Sequence, residues 1–291
     1  MKKYIKLLRI SHWAKNILLF LPLIFSGNLF NVRLIITTII GFFLFSFLSS
    51  IIYINNDIED IENDKKHPKQ KLRPLASGVI SQTKARIIQV ILLMVVSSLI
   101  ILLYLKTNNI YVILLPVAYF LLNYFYSKGL KNVAIVDVVI LVLGFLIRVF
   151  LGSVIIDIQI SNWLYLMIMF GSFYLGFGKR RNEIMKNGDV SRKVLKNYNK
   201  SFLDKNMYNC LTLSIVCYSM WATNAETINR IGNNLLIWTI PIVMIIFMLY
   251  SLEIETDSFG DPIEVVIHNK KIVLIKHNYF YITILNNSIV T

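Results

Sequence analysis

The sequence predicts an all-α membrane protein of about nine transmembrane helices, and three observations carry that prediction. Hydrophobic residues make up 56% of the 291 residues and charged residues only 16%, where a soluble domain carries about a quarter. Mean hydropathy is +0.63, and apolar runs long enough to cross a hydrocarbon core of about 30 Å recur along the chain. Finally, the basic residues alternate between loops. Of 30 Lys and Arg, 26 fall in the N-terminal segment and every second loop, three (Arg33, Lys106, Arg230) fall in the others, and Arg148 lies inside a span.

In chain order, spans are expected near residues 10–30, 34–54, 85–105, 110–127, 133–156, 162–178, 207–224 and 233–252. A ninth, 272–290, is weak. Lys276, His277, Asn278, Asn286 and Asn287 interrupt it, so it reads either as a poor span or as a helix lying in the interface. Lys2-Lys3 before an apolar stretch resembles a signal peptide, but Lys15 interrupts the stretch and many further spans follow. Two connectors are long, 55–84 and 179–206, and the rest are short. That leaves no room for a second soluble domain, so residues 1–291 read as one transmembrane domain. Cys210 and Cys217 share one apolar run at a spacing unlike a CxxC site and read as packing residues.

Basic residues collect in cytoplasmic loops. The split therefore puts the N-terminus and both long loops on the cytoplasmic side of a plasma or inner membrane. It also accounts for most of the net charge of +14, so no nucleic-acid partner is implied. Cysteines introduced near Lys65 and Lys193 should be labelled only from the cytoplasmic side, and cysteines near Asn108 and Asn229 only from outside. Labelling of the Lys65 and Lys193 sites from opposite faces would refute this topology.

The first long connector opens Asn55-Asn56-Asp57-Ile58-Glu59-Asp60-Ile61-Glu62-Asn63-Asp64. Asp57, Asp60 and Asp64 are spaced i, i+3, i+7, which is one face of a continuous helix over about 10 Å of axis. Clustered carboxylates repel unless a cation sits among them, and hard oxygen ligands suit Mg²⁺, which also binds phosphate oxygens. The three Asp thus read as a Mg²⁺–diphosphate site, whereas Glu59 and Glu62 read as solvated charges. A basic stretch follows, Lys65-Lys66-His67-Pro68-Lys69-Gln70-Lys71-Leu72-Arg73-Pro74-Leu75-Ala76-Ser77-Gly78. Its prolines stop the helix and Gly78 permits a tight turn. Lys71 and Arg73 are the residues expected to clamp a diphosphate, Arg as a bidentate donor and Lys as a point charge.

Arg148 lies deep in the fifth span. A charge there costs at least about 2.5–3.5 kcal/mol on insertion scales, so it needs a cavity or a partner. Asp137 lies eleven residues earlier, about three helical turns, on the same face. Gly144 and Gly152 lie close to that face and leave room for another helix or a substrate. Both a substrate cavity and a structural ion pair fit this pattern.

Asn56-Asp57-x-x-Asp60-x-x-x-Asp64 followed by Arg73-Pro74-Leu75-Ala76-Ser77-Gly78 resembles the first Asp-rich motif of the UbiA superfamily of intramembrane transferases. The resemblance implies a UbiA-like helical bundle around a lateral cavity, with the motif at its cytoplasmic mouth. The chain is also similar to one branch, the polyprenyl-phosphate (decaprenyl-phosphate) phosphoribosyltransferases. The stretches that carry this are His12-Trp13-Ala14-Lys15-Asn16, Tyr126-Ser127 with Lys131 and Asp137, Gly144-Phe145-Leu146-Ile147-Arg148, Gly178-Lys179-Arg180-Arg181-Asn182-Glu183, and Gly260-Asp261-Pro262-Ile263-Glu264. They run from Tyr4 to about Lys271, beyond which the likeness fades.

Prenyl-transferring members carry a second Asp-rich motif after the sixth helix. Here that stretch opens Lys179-Arg180-Arg181 and holds nine basic residues against Glu183, Asp189 and Asp204, which suits an additional phosphate better than a second metal. The branch implies phosphoribosyl diphosphate as donor and a polyprenyl phosphate as acceptor. The acceptor is already anionic, so positioning replaces a general base. Lys15, Asn16, Asn56, Tyr126, Lys131, Asp137, Arg148, Lys179, Arg180, Arg181 and Glu183 are the further candidates for substrate contact. Two other readings share some of these features. A prenyltransferase acting on an aromatic or lipid-soluble acceptor shares the metal site. An anion transporter would use Arg148 but would also predict paired broken helices in the two halves, and no such symmetry is visible.

Overall fold

The computed structural model describes residues 2–66, 70–187, 193–232 and 234–255, and among these residues there are helices and turns but no strand. In chain order the helices are α1 (Lys2–Leu8), a 3-10 segment (Ile10–Phe20) running into α2 (Leu21–Phe25), α3 (Val32–Glu59), α4 (Ile61–Lys66), α5 (Gln82–Thr107), α6 (Tyr111–Lys128), α7 (Val136–Ile156), α8 (Asn162–Asn187), α9 (Lys200–Thr223), α10 (Ala225–Ile231) and α11 (Thr239–Glu255). Short polar side chains start several of them by capping orphan backbone donors. Asn31 Oδ1 accepts from Leu34 N at 3.3 Å to open α3, and Asn199 Oδ1 accepts from Phe202 N at 2.7 Å to open α9. Asn108 and Gly232, at φ 49° and 77°, end α5 and α10 in the left-handed region.

Each of the eight stronger apolar runs is helical. Four helices are long and apolar enough to cross a membrane, Val32–Glu59, Gln82–Thr107, Val136–Ile156 and Leu235–Glu255, and the bent pair Lys2–Leu8 with Ile10–Phe25 makes a fifth if taken as one span. The other expected spans are helices made more polar by Tyr, Asn and charged residues. The weak segment 272–290 lies outside the described residues, as does the Gly260–Glu264 stretch. Helix α5 exposes Ile87, Val90, Ile91, Leu93, Met94, Ile101, Leu102 and Leu105. An apolar surface of that extent needs a lipid solvent, and the chain is an integral membrane protein.

Both long connectors are shorter than the sequence suggests. Helix α3 runs on to Glu59 and α4 takes up residues 61–66. Helix α8 continues to Asn187, so Lys179 to Glu183 sit on a helix rather than in a loop.

The chain forms two compact units. One comprises Met1–Leu23, Phe30–Lys128 and Ile147–Gln159. Its core packs Leu19, Leu23, Leu44, Phe45, Ile147, Leu151 and Ile155 together. Gly152 lets α7 come close to the first segment, because a Cβ there would lie 2.3 Å from the Leu19 carbonyl oxygen. The second core of this unit, Leu7, Ile54, Ile61, Leu75, Ile80 and Ala85, ties the 73–80 stretch to α1, α3 and α5. The other unit comprises, among the described residues, Ile24–Leu29, Gly129–Leu146 and the chain from Ile160 to Glu255. In it a Cβ added at Gly171 would lie 3.3 Å from Ser214 Oγ, and Ser214 Oγ donates to the Met167 carbonyl at 3.0 Å. These contacts bring α8 and α9 together.

Candidate functional site

The acidic motif is built where α3 stops. Asp60 leaves helical geometry, at φ −96° and ψ 9°, and α4 restarts at Ile61. The backbone still closes i to i−4 bonds on either side, Asp60 N to Asn56 O at 3.0 Å and Asp64 N to Asp60 O at 2.8 Å. Asp57 and Asp64 end up on one side, each 2% exposed. Arg73 Nη1 lies 3.2 Å from Asp57 Oδ1 and 2.8 Å from Asp64 Oδ2, and Arg9 also donates to Asp57 Oδ1. The carboxylates are sunk while the two arginine side chains, 21% and 30% exposed, form the rim.

The 73–80 stretch holds Arg73 in place. Ser77 N and Ser77 Oγ both donate to the Arg73 carbonyl, at 2.9 and 2.8 Å, and Ile80 N donates to Pro74 O at 3.0 Å. Gly78 takes φ 73°, the tight turn expected of it, and Leu75, Ala76 and Ile80 are buried beneath. Lys71, in the single 3-10 turn Gln70–Leu72, is exposed beside this rim.

Of the three expected carboxylates, Asp57 and Asp64 converge on Arg73, and Asp60, half-buried, sits at the break between α3 and α4. Among the described residues no group of three His, Cys, Asp or Glu is placed to hold a metal by protein ligands alone. The pair still fits Mg²⁺, which is commonly held by one or two carboxylates together with substrate phosphates. Two buried carboxylates already converge on one cationic group, Arg73, whose place a metal with its phosphates can take.

Asn56 Oδ1 accepts from Ser127 Oγ at 2.9 Å, tying the motif to the end of α6. Tyr126 next to it is half-buried. Deeper in the same unit, Arg148 is 5% exposed. Its Nε donates to Asn16 Oδ1 at 2.7 Å and its Nη2 to the Tyr119 hydroxyl at 2.8 Å. The guanidinium also lies 4.7 and 5.1 Å from the Tyr119 and Phe45 ring centroids. Asn16 Nδ2 in turn donates to Ser46 Oγ at 3.0 Å. Arg148 thus meets amide, phenol and ring faces here, and Lys15, half-buried, is the neighbour of Asn16.

The remaining candidates belong to the second unit. Asp137, in the first turn of α7, is fully buried and paired with Arg180 on α8, which is also fully buried. Arg180 Nη1 reaches Glu183 at 2.8 Å. The Tyr198 hydroxyl donates to Asp137 Oδ1 at 2.6 Å and accepts the Ile135 N–H. Ile135 has φ 71°, a strained conformation for a β-branched residue, and that hydrogen bond helps to hold it. Burial, and next the hydrogen bond to Asp137, push the Tyr198 phenol above its ordinary range, so it stays protonated and keeps donating. Arg181 pairs with Asp204 and lies 3.8 Å from Glu255. Lys179 and Lys131 are half-buried.

Two of the three basic residues expected to grip a phosphate are thus engaged by carboxylates. The physical reason is that Asp137, Asp204 and Glu255 come to α8 from distant parts of the chain. Sequence reading missed Arg9, which it counted only as a topology signal, and Tyr198, which lies in the 179–206 connector and drew no role. No local pattern marks either one.

A family model described as "UbiA prenyltransferase family" matches residues 17–253. The chain is 30% identical to "Decaprenyl-phosphate phosphoribosyltransferase" of Mycolicibacterium smegmatis over 280 residues, covering 91% of this chain and 86% of that one. The protein of the same name from Corynebacterium glutamicum is 30% identical over 272 residues, covering 91% and 81%. Among solved structures, the UbiA homolog from Archaeoglobus fulgidus bound to GPP and Mg²⁺ superposes with a TM-score of 0.69 at 17% identity, covering 98% of this chain and 99% of the other. That likeness concerns the fold.

Proposed function

From the premise that this chain is a transferase belonging to the UbiA prenyltransferase family, we propose that it moves a phosphoribosyl group from 5-phosphoribosyl diphosphate to a polyprenyl phosphate, with Mg²⁺, at the cytoplasmic face of the membrane. The observation that carries the reading is the convergence of Asp57 and Asp64 on Arg73. The names of the relatives supply the donor and acceptor.

Asp57 and Asp64 are the residues that would hold the metal. When bound, Mg²⁺ supplies Lewis-acid neutralisation of the departing diphosphate. Arg73, Arg9 and Lys71 contribute fixed positive charge where negative charge develops. Release of the carboxylates from Arg73 frees that guanidinium for the diphosphate. The ribosyl C1 passes through an oxocarbenium-like state, as in other glycosyl transfers, and the lipid phosphate oxygen attacks without needing a base. Asn56, Tyr126, Lys131, Lys179, Lys15 and Arg148 remain candidates for holding phosphates. Arg180, Asp137 and Glu183 act as a frame for α7 and α8, and Arg181 ties α8 to α9 and α11.

Purified protein incubated with phosphoribosyl diphosphate labelled in the ribose, Mg²⁺ and polyprenyl phosphate should transfer label to the lipid phase. Omitting the lipid phosphate or chelating the metal should abolish the transfer. Label that stays in the aqueous phase under all conditions would refute the reading.

A further inference from the structure

Helix α1 departs from the axis of the segment that follows it. The chain bends by 50° between Lys2–Leu8 and Ile10–Phe25. The bend falls on Arg9, which is left-handed at φ 49°, a conformation uncommon outside glycine. Three contacts fix it. Leu7 is fully buried in the core that also holds Ile54, Leu75 and Ala85. Ser50 Oγ donates to the Leu8 carbonyl at 2.8 Å, and Arg9 pairs with Asp57. One side of α1 is therefore docked on its own unit. Lys2, Lys3, Tyr4, Ile5 and Lys6 are all exposed.

The core beneath α1 includes Ala85 near the start of α5, and its neighbours Lys84 and Arg86 are exposed. Five cations thus belong to one end of this unit. Among the described residues none of the five is in a salt bridge. The first 56 residues contain no Asp or Glu. Glu62, beside Ile61 of the same core, is taken by Lys65 at 2.7 Å. A soluble phosphate would need only these charges, but large apolar side chains stand among them. Tyr4, Ile5, Val79 and Ile87 are exposed on the same elements or next to them in the chain. Basic and apolar side chains together on a surface helix match the boundary between lipid headgroups and acyl chains, and the unpaired positive charge favours an anionic headgroup over a zwitterionic one. We propose that α1 and the start of α5 form a docking surface for anionic phospholipids. The lysines and Arg86 take the headgroup phosphates, and the apolar side chains lie at the acyl boundary. Docking holds α1 at its angle and so keeps Arg9 against Asp57. The assignment holds whichever donor the chain uses.

The test is lipid retention by the purified full chain in detergent, read by native mass spectrometry with phosphatidylglycerol and phosphatidylcholine offered together. Phosphatidylglycerol should bind about tenfold or more tightly than phosphatidylcholine, since each lysine beside an anionic lipid surface is worth about fivefold. Lys2→Gln, Lys3→Gln and Lys6→Gln combined should lower phosphatidylglycerol affinity by more than about tenfold and leave phosphatidylcholine unchanged. The three side chains are exposed, so this variant keeps the fold. The control removes the same charge from the other unit, with Lys193→Gln, Lys196→Gln and Lys200→Gln combined, and should leave the preference as it is. The preference should shrink as the ionic strength is raised, and excess inorganic phosphate should not displace the lipid. Equal retention of the two lipids, no greater loss in the α1 variant than in the control, or release of phosphatidylglycerol by inorganic phosphate would overturn the proposal.

Discussion

Asp57→Asn and Asp64→Asn should each lower phosphoribosyl transfer by about a hundredfold or more, while the protein remains folded and inserted in the membrane. The size follows from what is removed. A fixed charge that organises the stabilisation of a leaving group is worth about 10²–10³ in rate, and each Asp is one of the two carboxylates that converge on Arg73. Folding should survive because the partners, Arg9 and Arg73, are partly exposed and can be rehydrated when a carboxylate is lost. Glu62→Gln is the control. Glu62 lies one turn away and fully exposed, and a hydrogen bond from Lys65 holds it below the usual carboxylate range. A surface pair of that kind contributes little. Steady-state kinetics on the three variants, with protein levels matched, decides the matter. Equal losses at Glu62 and Asp64 would mean that the buried pair has no special role.

Arg180→Ala should fail in a different way, through the fold. Removing Arg180 leaves Asp137 buried without its guanidinium, and breaking a buried pair by deleting one partner costs about 3–5 kcal/mol. A large drop in the detergent melting temperature and in the yield of inserted protein is expected. Arg181→Ala should be milder because Asp204 and Glu255 are partly exposed. Asp137→Asn combined with Arg180→Ala should recover part of the loss, since the stranded charge is then gone. If Arg180→Ala melts like the parent protein and instead raises the KM for the ribosyl donor, Arg180 contacts phosphate and the framing role is wrong.

Much of this architecture is legible in the sequence because lipid imposes a simple pattern. Each apolar run that escapes interruption is a helix, and the Gly78 turn follows from the residue type. Asp57 and Asp64 were identifiable because seven residues are close to two helical turns, and the break at Asp60 does not separate them. The break itself was not legible, because nothing in Glu59-Asp60-Ile61 forbids a helix. The fate of the 179–181 cluster was hidden for another reason. Loop-by-loop charge counting treats a basic residue as solvated unless its partner is nearby in sequence, and Asp137 is 43 residues from Arg180. Arg148 was visible as a buried charge, but its contacts with Asn16 and Tyr119 join three separate helical segments and leave no local signature.

The identity of the donor is the point on which the account stands. The most direct measurement offers the purified protein phosphoribosyl diphosphate and a prenyl diphosphate in separate reactions, each with Mg²⁺ and polyprenyl phosphate, and determines the mass of the lipid product. The account predicts a polyprenyl phosphate heavier by one phosphoribosyl group in the first reaction and no new lipid in the second. Consumption of the prenyl diphosphate, with the ribosyl donor left intact, would contradict it and direct the search to an aromatic or lipid-soluble acceptor.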